Sequence, residues 1–181
     1  MTRPHPHSAG FTIIELMVTI AVVSVLLGLA VPAFTNVVRN TRIANQTNAV
    51  VGALQYARAE SATRGMPVSV CAANTDRTAC LTAAATNTNW TNGYIVFTDR
   101  TGVVGERDGT DEVLQTGAMP MTGYSVAVTA TFVRFGIGLT GATERTLTVT
   151  PTDTSVCLTT GRRQIAIGRT GRVSSIKSSC T

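Results

Sequence analysis

Histidine is almost missing from this 181-residue chain. The two copies, His5 and His7, lie within the first ten residues, so once that stretch is set aside no imidazole remains. That excludes a histidine general base and any zinc site needing a histidine ligand. Charge is scarce as well, at 14% of residues, and aromatics are 5%. The ten carboxylates are spread through turn-like stretches such as Glu106-Arg107-Asp108-Gly109-Thr110-Asp111, which reads as a solvated loop. No paired, buried-looking acids are in sight for acid/base work, so the chain does not read as an enzyme. Cys71, Cys80, Cys157 and Cys180 fit no CxxC metal pattern, and neither a metal nor a cofactor is expected. The length suits one domain, or one domain with an appendage. An apolar share of 44% and a mean hydropathy of +0.21 are too high for disorder and too mixed for a polytopic membrane protein. One stretch must hold the excess.

That stretch is N-terminal. No charge occurs from Leu16 to Val38, and Leu16–Phe34 is almost wholly apolar. About 19 helical residues at 1.5 Å each span the hydrocarbon core of a bilayer. A secretory signal peptide is the competing reading, with Arg3 as its basic region and Val31-Pro32-Ala33 near a cleavage site. The apolar run is too long for that, and Glu15 stands at its start. A carboxylate at membrane depth is costly and marks a functional position. Its partner must be a cation, yet no Lys or Arg lies between Arg3 and Arg39. A cut between Gly10 and Phe11 would create an α-amino group one helical turn from Glu15. Lys/Arg asymmetry does not favour an N-terminus-in orientation, because Arg39 and Arg42 follow the span. The even cysteine set after the span does favour it, by pointing to an oxidising periplasm.

Ala9-Gly10-Phe11-Thr12-Ile13-Ile14-Glu15-Leu16 resembles the cleavage and methylation signal of type IV pilins and type II secretion pseudopilins. The resemblance implies that a prepilin peptidase removes residues 1–10 and methylates the Phe11 amine. It also implies that Thr12, Glu15 and Pro32 serve assembly, with Glu15 pairing the Phe11 amine of an adjacent subunit and Pro32 loosening the helix. Residues 11–38 would then be the transmembrane or filament-core half of a helix, and residues 39–181 a periplasmic domain.

Beyond Phe34 the chain turns polar but stays helical in pattern. Ile43, Val50, Leu54, Ala57 and Ser61 fall on one face, and Gly65-Met66-Pro67 stops the run. The pattern predicts one helix from about Thr12 to Arg64, its amphipathic part over 39–64, then a β region over 67–181. Predicted strands are Val68–Cys71, Tyr94–Phe97, Glu112–Gln115, Tyr124–Val128, Thr131–Phe135, Leu147–Val149, Ser155–Leu158 and Gln164–Ile167. Thr82–Asn92 reads as a polar loop in which Trp90 anchors the core or a sheet edge. The expected fold class is α+β, a long N-terminal helix packed on antiparallel sheet.

Trp90–Asp99, Phe132–Gly136, Cys157-Leu158, Thr170–Val173 and the helix stretch Ala53–Ala62 together resemble the GspH/FimT/FimU-type minor pilins and pseudopilins. Four cysteines allow three connectivities; sequence proximity and this resemblance favour Cys71 with Cys80 and Cys157 with Cys180. The resemblance implies an inner-membrane, single-pass protein that joins a type IV pilus and initiates or caps its assembly. Its partners would be the major pilin, other minor pilins or pseudopilins, and the prepilin peptidase. A type II secretion pseudopilin is the first alternative. Double-stranded DNA is an alternative partner, because Arg162, Arg163, Arg169, Arg172 and Lys177 crowd the last stretch without an acid. A solvated sheet face explains the same cations. The Gly-Arg-x-Arg motif of DNA-uptake relatives is not met, since Gly171-Arg172-Val173-Ser174 has Ser at its last position.

Overall fold

Thr12 sets where the main helix begins. In the computed structural model its hydroxyl oxygen accepts the Glu15 N–H at 3.3 Å, and its carbonyl accepts the Leu16 N–H at 3.2 Å. That is the geometry of a helix N-cap. Helix α1 then runs from Ile13 to Arg64, 52 residues. Gly65 closes it at φ 63°, a left-handed conformation that glycine takes without steric penalty. The structure describes residues 10–81, 90–100, 102–119, 123–128, 131–136, 145–154, 156–157 and 161–180.

Two units divide the chain, Met1–Val38 and Arg39–Thr181, and α1 contributes to both. In the first, the described residues are one helix with its apolar side chains outward. Ile13 is 80% exposed and Val25 66%. Its hydroxyls are tied back to the helix itself: Thr19 Oγ1 donates to the Leu16 carbonyl at 2.8 Å and Ser24 Oγ to that of Ile20 at 2.7 Å. Such bonds mask polar groups on an otherwise apolar surface.

The second unit is built the other way. Ile43, Thr47, Val50, Leu54, Ala57 and Ser61 fall on one side of the helix and are buried, as their three- and four-residue spacing predicts. The strands are β1 (Val68–Ala72), β2 (Tyr94–Thr98), β3 (Val113–Gly117), β4 (Tyr124–Val128), β5 (Phe132–Phe135), β6 (Arg145–Pro151), β7 (Arg162–Ile167) and β8 (Val173–Ser178). They form two four-stranded antiparallel sheets, ordered β3-β2-β1-β5 and β4-β6-β7-β8. Strands β1 and β2 are buried at every residue, while β6 alternates, with Leu147, Val149 and Pro151 inward. One core joins the helix face to both sheets through Leu54, Val70, Trp90, Val96, Leu147 and Ile165. Burying each such side chain contributes about 1.5–3 kcal/mol. The fold is the expected α+β arrangement of a long N-terminal helix and antiparallel sheets.

Two strand expectations differ from the structure. The segment predicted as a strand at Ser155–Leu158 turns helically where it is described: the Cys157 N–H donates to the Asp153 carbonyl at 3.0 Å and the Gly161 N–H to that of Cys157 at 2.7 Å. Asp153, after Pro151 and Thr152, sits where an N-cap residue sits, and that start signal outweighs the β-branched Val156. Conversely Val173–Ser178 is a full strand. Its serine-rich composition hides it, because β8 is an edge strand, mostly exposed, that a partner strand holds by main-chain pairing. Trp90 is fully buried, a core anchor as expected; residues 82–89 of its predicted loop lie outside the described residues.

Candidate assembly site at the helix start

Gly10, Phe11 and Thr12 precede the helix, and Phe11 is 84% exposed. Glu15 stands in the first turn, where the free N–H groups of a helix favour a carboxylate. Thr12-Ile13-Ile14-Glu15 is therefore a Thr-x-x-Glu capping sequence, and the Thr12 half of that reciprocal pair is formed. Sequence reasoning that fixed on the charge of Glu15 missed this second role, although the spacing alone signals it. Among the described residues the Glu15 carboxylate has no ion-pair partner. Helix α1 continues unbroken through Pro32, whose side chain lies outside the described residues.

Phe11, Ile14, Met17, Leu26, Leu27 and Phe34 are all more than half exposed in this unit. An apolar surface of that extent on a helix marks a partner, a membrane or both. Among the described residues no helix is long and apolar enough to cross a membrane. The apolar run in the sequence continues through Leu29, Val31 and Ala33, whose side chains are outside the described set.

In the second unit Cys71 is bonded to Cys80 and Cys157 to Cys180. The first closes a turn in which Asn74 Oδ1 accepts the Thr78 and Ala79 N–H groups. The second ties the helical turn after β6 to the residues after β8. Beside the first sheet lies a polar cluster that the sequence did not announce. Asp99 is buried, and its Oδ2 accepts from Ser69 Oγ at 2.6 Å and from the Gly105 N–H at 3.0 Å. Arg134 faces the same oxygen at 3.2 Å through Nε and donates from Nη2 to the Asp99 carbonyl at 2.9 Å. The Nε–H is not aimed well enough to count as a hydrogen bond, so Arg134 meets the carboxylate as an ion pair and hydrogen-bonds the main-chain carbonyl of Asp99 through Nη2. Gly105 has φ 82° and lies where any Cβ would run into the Phe132 ring. The loop read as solvated is thus pinned: Asp111 is buried too, accepting the Arg100 and Asp108 N–H groups. These carboxylates serve as structural acceptors.

The five cations proposed for DNA are not gathered. Arg162 and Arg163 open β7, and Arg163 lies opposite Lys177 in register. Arg169 and Arg172 stand at the other end of that hairpin, with four to six strand residues, about 13–20 Å, between the two groups. Arg162 and Arg163 are half-buried, while Arg169, Arg172 and Lys177 are exposed.

Comparison with known proteins places this geometry. Residues 46–171 match the family model for Type II transport protein GspH, and residues 5–31 match the Prokaryotic N-terminal methylation motif. The chain belongs to the GspH family. Two crystal structures of the type IV minor pilin FimU from Pseudomonas aeruginosa share the fold at 17% identity. One has a TM-score of 0.54 over 74% of this chain and 87% of that chain. The other has a TM-score of 0.52 over 73% and 90%. No curated protein matches. For a GspH-family chain carrying the methylation motif, family membership implies processing by a prepilin peptidase, inner-membrane anchoring and assembly with other pilins or pseudopilins in a pilus or pseudopilus.

Proposed function

We propose that this GspH-family chain is a minor pilin that enters a type IV pilus and initiates or caps its assembly. In this reading residues 1–10 are the leader, cleavage falls between Gly10 and Phe11, and Phe11 becomes N-methylated. Residues 11–38 span the inner membrane once and 39–181 lie in the periplasm, where the oxidised cysteine pairs are at home. The observation that carries the reading is the first unit of α1: a bare apolar helix whose one acid, Glu15, stands in its first turn beside the motif.

The mechanism is physical. An apolar helix leaves lipid for a bundle of like helices, with little hydrophobic gain in the exchange, so packing and polar contacts decide it. The Phe11 amine of a neighbour compensates the desolvated Glu15 carboxylate, and the short reach of that contact sets the axial stagger. A Glu15→Ala chain should still be cleaved, methylated and retained in the membrane, as intact mass shows, yet be missing from sheared filaments. Normal incorporation of that variant would overturn the mechanism.

The family description favours a second reading, a pseudopilin of a type II secretion system using the same helix chemistry. Co-purification separates them: with the major pilin of a pilus in the first case, with pseudopilins of the secretion apparatus in the second.

A further inference from the structure

Strand β8 ends its sheet and stands open on both faces as well as along its edge. Ser174, Ser175, Ile176 and Lys177 are exposed in an unbroken run, Ile176 at 59%. Side chains alternate between the faces of a strand, so such a run means that neither face is covered. Ser174 and Ile176 share the outer face with Ala166 and Gln164, while Ser175 and Lys177 share the face of Ile165 and Arg163. The strand keeps its place through its ladder with β7 and through the Cys157–Cys180 bond just beyond its end. It is fixed without being packed.

The direction of its main-chain groups follows from the hairpin. The Gly168 N–H donates to the Arg172 carbonyl at 2.9 Å, which makes these facing residues a hydrogen-bonded pair. Antiparallel pairs alternate in kind, so Ser174, Ile176 and Ser178 exchange bonds with β7, and Val173, Ser175 and Lys177 turn their N–H and C=O groups to the free edge. Among the described residues no hydrogen bond reaches those groups. Serine at 174, 175 and 178 leaves room along the edge. Lys177, a residue type that commonly guards one, leans away: its Cε and Cγ lie 3.2 and 3.7 Å from where a Cβ on Gly161 would be, and Gly161 leads into β7. The other three sheet edges differ. On β4 the Val126 carbonyl takes the Trp90 N–H at 3.0 Å, and no residue of β5 is exposed. Strand β3 is exposed, but its pairing with β2 slips between Val96 and Phe97, and a bulge of that kind turns an edge away from further strands. The β7–β8 pairing has no slip.

A regular, uncovered edge is a template for a further strand, in which main-chain bonds supply the affinity. Two sources of that strand differ in charge. From residue 154 to 181 the chain holds Arg162, Arg163, Arg169, Arg172 and Lys177 and no acidic side chain. A second copy of the hairpin would set like charges side by side, which is destabilising. A different subunit has no such penalty, and family membership implies other pilins or pseudopilins as neighbours. We infer that β8 takes an extended segment of a different pilin-like subunit as a fifth strand of its sheet, joined main chain to main chain at Val173, Ser175 and Lys177. This rests on the proposed role as a filament subunit.

The test places the photo-cross-linking residue p-benzoylphenylalanine at Ser174 or at Ile176 of the full chain in its own cell envelope. Mass spectrometry of the filament fraction should find both cross-links on one segment of another pilin-like subunit, about two residues apart, as the period of a strand requires. Ser175→Pro removes a free-edge N–H and no bond to β7. Relative to the chain present in the envelope, it should lower the cross-link yield at least about tenfold, because a facing acceptor loses its donor. Ser175→Ala keeps that N–H and should leave the yield unchanged. Should Ser175→Pro move the urea midpoint read by Trp90 fluorescence, Lys177→Pro makes the same test nearer the strand end, with Lys177→Gln as its control. Cross-links that scatter over unrelated segments, that fall on a second copy, on nucleic acid or on lipid, that are missing from an incorporated chain, or that persist in a folded proline variant each overturn the strand addition alone. If the parent chain, without the probe, is absent from filaments, the assembly reading falls and this inference with it.

Discussion

Among the described residues, those up to Val38 place most of their apolar side chains outside and those from Arg39 place most of theirs inside, although one helix serves both. In the first unit the contacts of Thr12, Thr19 and Ser24 are local: a cap three residues away and hydroxyls bonded three or four residues back, with a carboxylate in the first turn. In the second, contacts also join distant residues, Ser69 with Asp99, Asp99 with Arg134, Trp90 with Val126. Among its described residues the first unit has surface and no core of its own, so its energetics wait on a partner. The second is complete by burial. Substitutions should therefore act on assembly in one unit and on folding in the other.

The largest effect expected is at Glu15, and a pair of variants sharpens it. Glutamine serves at the third position of a capping box as well as glutamate does, but it carries no charge. If Glu15 works through the helix start alone, Glu15→Gln keeps filament incorporation; if it works through an amine, Glu15→Gln fails as completely as Glu15→Ala. We expect failure, measured by immunoblot of sheared filaments against the membrane fraction. Thr12→Ala, which removes the cap and leaves the charge, should weaken helix start by about 1 kcal/mol and lower incorporation only in part.

How far the residues could be read follows the same division. The motif around Gly10–Glu15, the reach of α1 to Arg64 and the inward face through Ile43, Val50 and Leu54 are matters of period and nearest neighbour, and all were legible. So were seven of the eight strands to within two residues at each end. Leu147–Val149 marked the centre of β6, which runs two residues further at each end. What escaped needed the third dimension. Strand β8 is serine-rich and becomes a strand by pairing with β7. Asp111 looks solvated in its run of charges, yet two backbone N–H groups meet it and the loop folds over it.

In the second unit the deepest disturbance should come from Asp99→Ala. It leaves Arg134, whose side chain is 18% exposed, facing an empty site, and it strands the Ser69 hydroxyl and the Gly105 N–H. Removing one partner of a buried pair costs about 3–5 kcal/mol. Trp90, the one tryptophan of the chain and fully buried, reports unfolding in urea by its fluorescence. Filament entry of whatever chain remains folded should be normal. A midpoint that hardly moves would mean that the pinned loop contributes little to the fold.

Next in size are the disulfides. Opening Cys157–Cys180 by serine at both positions frees a loop of sequence separation 23, and opening Cys71–Cys80 frees one of separation nine. The chain-entropy account gives about 3 kcal/mol for the longer loop and somewhat less for the shorter. The order of the two urea midpoints is the measurement. A reversed order would place the stabilisation in local packing around Cys71, which is almost wholly buried, ahead of loop closure.

The smallest effect is an alkaline one at Tyr94, on a strand buried at every residue. Its ring lies over Gly117, where a Cβ would meet it, and burial raises the phenol above its usual value near 10. The unfolded chain therefore loses this proton first as pH rises. Stability from the neutral phenol is whole below about 10 and is lost as pH climbs through the folded value. Tyr94→Phe cannot ionise and should lose less stability between about pH 9 and 11, provided that its midpoint at neutral pH is close to that of the parent. All four cysteines are paired, so no free thiol is present to start exchange in that range. Equal losses in the two chains would show that the phenol reaches water when the β2–β3 edge opens. That would place the weak point of the folded unit at its exposed edge strand, β3.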